Sequence, residues 1–208
     1  MVGYLVGAVP VGLLVPLIVA GVDVRRHGTG NIGAANVRES AGTFAGLVVA
    51  LGVFLQGLLP PLILRLLGAP EVPVAAAAVG AVVGYGWPVF LGFRGGRALG
   101  TGTGAAAAIS PGGFVVLLVT YALGALLHQT SLGTLLGFVA YAGYVFYSAD
   151  SAAYEAAALL LLIVIVARRL EGLGRDLEYG PFIPTLLNLL LFQRRPERPR
   201  SAGESRES

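Results

Sequence analysis

Long apolar runs separated by short polar islands set the pattern of this 208-residue chain. Residues 4–22 are apolar over roughly the 20 positions a helix needs to cross a bilayer, and residues 43–67, 74–91, 105–127, 131–147 and 152–167 repeat the theme. The runs are built from Val, Leu, Ala and Gly, and the small residues predict helices that approach closely in lipid. Pro10 and Pro16 are expected to kink the first run, Pro60-Pro61 to bend or interrupt the second, and Ser110-Pro111-Gly112-Gly113 to break the fourth. Ser40 and Thr43 are candidate N-caps for the second span. Residues 182–192 are apolar but too short to span, which suits an interfacial segment. Residues 193–208, rich in Arg, Pro, Glu and Ser, are expected to be disordered. The pattern predicts an all-α, polytopic integral membrane protein of five to seven helices, with one domain over residues 1–192 and a tail.

Composition strengthens this. The chain is 56% hydrophobic and 12% charged, whereas soluble domains carry about a quarter charged residues. Every basic residue is Arg, and most sit beside spans, so the net charge of +3 reflects topology rather than nucleic-acid binding. The absence of cysteine excludes disulfides and thiol catalysis. Two isolated His give no metal-ligand spacing. The N-terminus lacks the charged start of a signal peptide and is expected to be a retained first span. Arginine concentrates in 23–42, in 92–104 and after 167, so these are expected on the cytoplasmic side. Residues 68–73, 128–130 and 148–155, together with the N-terminus, are expected outside. Three full crossings between residues 104 and 167 would strand the last arginines on the wrong face. One apolar segment must therefore be split, re-entrant or fused, and 105–127 is the first suspect.

The islands carry the candidate chemistry. The first, from Arg25 to Arg38, holds three arginines, three glycines, two asparagines and Thr29. The second, Gly84 to Gly104, places Gly95-Gly96 between Arg94 and Arg97 and continues in Gly/Thr alternation. Glycine lets backbone N–H groups approach an oxyanion, and Arg offers a planar charge that matches phosphate. A third charged stretch runs from Arg168 to Glu178. Three such corners beside lipid-facing helices suit a phosphorylated small molecule and an acyl chain. A transporter is disfavoured, because the spans carry almost no charge.

Gly28-Thr29-Gly30-Asn31-Ile32-Gly33-Ala34-Ala35-Asn36-Val37 resembles the first signature of the bacterial acyl-phosphate:glycerol-3-phosphate acyltransferases. Gly84 to Arg97 resembles their second signature, and Thr130-Ser131-Leu132-Gly133 a weaker later stretch. The resemblance implies a multi-pass enzyme of the bacterial inner membrane. It would move an acyl group from acyl phosphate to glycerol 3-phosphate, without a cofactor, a metal or acyl-CoA. On the matching positions, Thr29, Asn31, Arg38 and Arg97 are expected in catalysis, and Gly30, Gly33, Asn36, Arg94, Gly95, Gly96, Arg169 and Glu178 in substrate binding. Several positions depart from the family pattern. Thr29 replaces the usual Ser, and Glu39 stands where the family has an Arg, with Arg38 one residue earlier. Val53 and Gln56 replace an Asp and a Lys, Tyr85 a His, and Arg97 a Lys. Arg169 and Gly172 replace a His and an Asn. These departures leave open a second reading, a relative that binds a phosphorylated lipid or metabolite without turnover.

Overall fold

The computed structural model describes residues 1–148, 151–171 and 183, and among them every regular element is helical. Among the described residues nine α-helices are bounded: α1 (Val2–Ala8), α2 (Val11–Ala20), α3 (Ala34–Ala41), α4 (Thr43–Leu66), α5 (Glu71–Gly86), α6 (Leu99–Ile109), α7 (Pro111–Leu126), α8 (Thr130–Ser148) and α9 (Ala152–Leu170). Among the described residues four stretches are long and apolar enough to cross a membrane: Val2–Ala20, Thr43–Leu66, Glu71–Leu91 and Thr130–Ser148. Large apolar side chains such as Ile18, Leu51, Ile63 and Ile163 are exposed on the bundle's outer faces, as expected where lipid replaces water.

The first span is broken at Pro10, which separates α1 from α2. The break frees backbone carbonyls in an apolar setting, where each needs a donor. Gln56 of α4 supplies it, with Nε2 donating to Val6 O and Val9 O at 2.8 Å each. The one polar residue in the middle of α4 is thus a splice for its neighbour. The Pro60-Pro61 pair does not interrupt α4, which continues to Leu66. Neither Ser40 nor Thr43 caps α4: Ser40 lies within α3, and the turn between the helices is made by Gly42 at φ +92°.

Helices touch backbone to backbone at three seams. A Cβ added at Gly3, Gly7 or Gly84 would strike the opposite backbone between α1 and α5. The same holds for Gly57 and Gly104 between α4 and α6, and for Gly124 and Gly133 between α7 and α8. This is the close approach that small residues permit in lipid. The core around these seams includes the fully buried Val49, Val82, Phe138, Leu161 and Ile165.

The parity problem is solved at Ser110. The run 105–127 is two helices: α6 ends at Ile109, Ser110 Oγ accepts from Gly113 N at 3.3 Å, and α7 starts at Pro111. Helix α6 runs alongside α4 in the same sense, since Thr101 lies against Gly57 and Arg65 donates to Ala108 O at 3.0 Å. Helix α7 then returns antiparallel to α8, with Gly113 against Tyr141 at one end and Gly124 against Gly133 at the other. Helix α9 comes back once more and delivers Arg168 and Arg169 to the end that carries the first two islands. The turn at 127–129 therefore lies at the same end as the islands, not opposite as expected for 128–130. A three-residue stretch without Arg carries no topological information; Arg169 reaching Ser131 O at 2.8 Å fixes its side. The tail 193–208, the segment 182–192 except Ile183, and Glu178 lie outside the described residues.

Candidate functional site

The first island folds around one side chain. Asn36, in the first turn of α3, is 4% exposed. Its Nδ2 donates to Val24 O (3.1 Å), His27 O (3.2 Å) and Asn31 O (2.9 Å), and its Oδ1 accepts from Thr29 N at 3.0 Å. Gly28 sits at φ +54°, and a Cβ there would run into Asn36 Oδ1, so the hairpin-like wrap requires glycine. Asp23 opens the island by accepting from Arg25 N and by gripping the Arg25 guanidinium at 2.9 and 2.8 Å. That hydrogen-bonded partner pulls the Asp23 carboxyl down to about 2, and the same pairing raises Arg25.

The second island is held from a distance. Arg168 of α9 is buried and donates Nε to Gly96 O at 2.9 Å and Nη2 to Gly95 O at 2.7 Å. Its guanidinium lies 5.3 Å from the Trp87 ring centroid and pairs through Nη1 with Glu171, one helical turn on. Beneath it, Gly96 N donates to Tyr85 O at 3.2 Å, and Cβ atoms at Gly95 or Gly96 would collide with Tyr85. Tyr85 also donates from its hydroxyl to Ile32 O at 3.4 Å, tying the two islands together.

Between the islands lies a cavity of about 910 Å³ lined by Arg25, Gly30, Ile32, Arg94, Gly95, Arg168 and Glu171, among others. Beside it is a smaller one of about 340 Å³, lined by Thr29, Gly30, Asn31, Gly95, Arg97, Arg168 and Glu171. Together these two polar cavities present four guanidiniums and one carboxylate. Asn31 and Arg97 also line a third, largely apolar chamber of about 430 Å³ with Gly33, Val53, Phe54 and Leu99. Phe54, Leu99, Gly100 and Thr103 continue into an apolar trough of about 340 Å³ bounded by Phe114, Leu117 and Tyr121 of α7. The series runs from strongly cationic to apolar, and Asn31 and Arg97 stand where it changes. A phosphate fits the first part and an acyl chain the last. Among the described residues, no three His, Asp or Glu gather as a metal would need.

The structure thus brings Thr29, Gly30, Asn31, Arg94, Gly95 and Arg97 to one place, with Gly33 on the apolar side and Gly96 just behind the wall. Three expected residues are not there. Arg38 is exposed on α3, its stem against Gly46 of α4, and lines none of these cavities. Asn36 spends its amide inside its own loop and builds the site without facing it. Arg169 is buried, lines none of these cavities and donates from Nη1 and Nη2 to Ser131, although it lies within electrostatic reach of Arg97 at the site's edge. Arg168 and Glu171 are at the site and were not among the expected residues. On a helix, adjacent positions diverge, so Arg169 and Arg168 serve different walls; the i, i+3 spacing of Arg168 and Glu171 was the available signal.

The model of the glycerol-3-phosphate acyltransferase family matches residues 1–177. A glycerol-3-phosphate acyltransferase of Rubrobacter xylanophilus is 50% identical over 111 residues, 53% of this chain and 55% of that protein. One from Geobacillus kaustophilus is 38% identical over 154 residues, 72% of this chain and 77% of that protein. The chain thus spans little more than half the length of the first relative. Two crystal structures of PlsY (YgiH), an integral membrane glycerol 3-phosphate acyltransferase, share the fold. The glycerol 3-phosphate form has a TM-score of 0.75 at 28% identity and covers 85% of this chain and 89% of that one. The lysophosphatidic acid form has a TM-score of 0.73 at 26% identity and covers 92% and 95%. Matched over most of its length by the family model and by these folds, the chain belongs to the glycerol-3-phosphate acyltransferase family.

Proposed function

We propose that the protein transfers a fatty acyl group from acyl phosphate to glycerol 3-phosphate, forming lysophosphatidic acid and inorganic phosphate at a bacterial inner membrane. The observation that carries this reading is a series of cavities sharing lining residues, from two polar ones that present four arginines between them, past Asn31 and Arg97, to an apolar trough between α4, α6 and α7. The acceptor's phosphate sits among Arg25, Arg94 and Arg168, and the donor's acyl chain lies along Phe54, Leu99 and Leu117. The scissile carbonyl then falls beside Asn31 and Arg97. The acceptor hydroxyl oxygen attacks that carbonyl carbon, the new C–O ester bond forms, and the bond to the phosphate oxygen breaks. Phosphate leaves, takes up the hydroxyl proton, and is neutralised by Arg97. Acyl phosphate is already an activated anhydride, so alignment and charge neutralisation suffice, and no protein nucleophile is required.

The motif end faces the cytoplasm in this reading, because the arginines of both islands and of the end of α9 gather there. The test is phosphate release from palmitoyl phosphate by the detergent-purified protein, with and without glycerol 3-phosphate. Release that depends on glycerol 3-phosphate and falls in Gly95→Leu and Arg97→Ala is the expected result. Binding of glycerol 3-phosphate without any release would overturn this reading in favour of a non-catalytic phosphate binder.

A further inference from the structure

Glu171 is the one acidic residue lining the two polar cavities among the described residues, and four arginines surround them. A carboxylate there works against binding a phosphate. If its purpose were only to balance Arg168, it would not need to face both cavities. The Arg168 guanidinium is already held by Gly95 O, Gly96 O and the Trp87 face. The Glu171 side chain is about half exposed (48%), engages Arg168 through Oε2 and lines both cavities.

The residues shared by the two cavities mark the boundary between them: Gly30, Gly95, Arg168 and Glu171. Two of the four are glycines and Arg168 is a donor, so Glu171 supplies the side-chain acceptor at that boundary. Resting on the function proposed above, the acceptor molecule straddles this boundary. Its phosphate on C3 is in the larger cavity, and its attacking hydroxyl on C1 is in the smaller one beside Asn31 and Arg97. The middle carbon and its hydroxyl then sit at the boundary. We propose that Glu171 is a specificity-determining residue that accepts a hydrogen bond from the C2 hydroxyl of glycerol 3-phosphate. It thereby selects a glycerol backbone over a simple phosphorylated alcohol. A site that hydrogen-bonds a substrate hydroxyl discriminates against the analogue lacking it by about the worth of that bond. Glu171 touches neither the bond that forms nor the bond that breaks.

The test compares kcat/KM for glycerol 3-phosphate with that for 1,3-propanediol monophosphate, which lacks only the C2 hydroxyl, using palmitoyl phosphate as donor. The wild-type protein should prefer glycerol 3-phosphate by about tenfold or more, the scale of one hydrogen bond to a charged group. Glu171→Ala should bring the ratio toward one by losing activity on glycerol 3-phosphate alone. Glu171→Gln, which keeps an acceptor oxygen, should retain most of the preference. A merely structural role for Glu171 would lower both substrates together and leave the ratio unchanged, and that result overturns the proposal. Equal use of both acceptors by the wild-type protein also overturns it while leaving acyl transfer intact. Absence of any transfer by the wild-type protein refutes the underlying function, and this inference with it.

Discussion

The two islands reach similar shapes by opposite means. The first is held by a residue of its own segment: Asn36 collects the carbonyls of Val24, His27 and Asn31 from within twelve positions. The second is held by a residue more than seventy positions away, because Arg168 crosses from α9 to take the carbonyls of Gly95 and Gly96. A self-wrapped loop can form as soon as its own residues meet. A loop pinned from another helix forms only when the bundle closes. The second island is therefore the part of the site whose geometry reports on the packing of α5 against α9.

The comparison breaks most sharply at Arg168. Arg168→Ala should lower kcat/KM for acyl transfer by about a hundredfold, from the loss of two charged hydrogen bonds and the Trp87 contact. Arg168→Lys should not restore it, because an ammonium cannot fork across two carbonyls while lying flat on an indole. Phosphate release in detergent reads both.

Gly95 comes next. Its Cβ would meet the carbonyls of Tyr85 and Gly86, so Gly95→Ala should cost about 1–3 kcal/mol of local strain and roughly tenfold or more in activity. Gly92→Ala is the contrast in the same loop: its φ is +59° but open space surrounds it. A left-handed alanine costs about 1–2 kcal/mol, and although Gly92 lines the larger cavity, activity should fall less than in Gly95→Ala.

Asn36→Asp attacks the other island. The carboxylate keeps an acceptor for Thr29 N but turns three donated contacts into repulsions, so about 1–3 kcal/mol of thermal stability and about tenfold in activity should be lost. A melt of the purified protein and the same assay decide it. Should Asn36→Asp prove harmless while Arg168→Ala is not, only the externally pinned loop is needed for turnover.

The smallest effect belongs to Asp23. Its carboxyl titrates at about 2 when folded, against an ordinary 3.8, so its contribution is present in full above the ordinary value and is lost as pH falls through 2. Asp23→Asn should change activity by less than about twofold, and the difference in melting temperature from the parent should stay constant between about pH 8 and pH 5. A difference that grows or shrinks within that window would assign the ion pair a role that its exposure argues against.

The parts legible in the sequence were those governed by local rules. Span positions followed from apolar runs, and the three polar corners from clustered glycine and arginine. The break at Ser110-Pro111 could be suspected because parity demanded it. What escaped were choices made between helices. Arg169 drew attention because its position matched a signature, yet one residue of rotation sends it to Ser131 and gives Arg168 the cavity. Gln56 stands where the family has a Lys, and its role shows only beside the broken carbonyls of α1. Asn36 looked like a ligand for phosphate, and only the folded loop shows that its amide is already consumed. Residues 128–130 lie at the end of the islands and not outside as expected, because a short stretch without arginine carries no topological signal.

Arg65 sits at the end of α4 opposite the site and donates to Ala108 O and Ile109 O. These are among the last carbonyls of α6, a helix of 11 residues that ends where no further turn exists to receive them. A tally of positive charges would enter this guanidinium against the orientation that the other described arginines favour. Bound as a stopper on a truncated helix, it belongs to the architecture instead, and the insertion bias of the chain is cleaner than its raw charge ledger suggests.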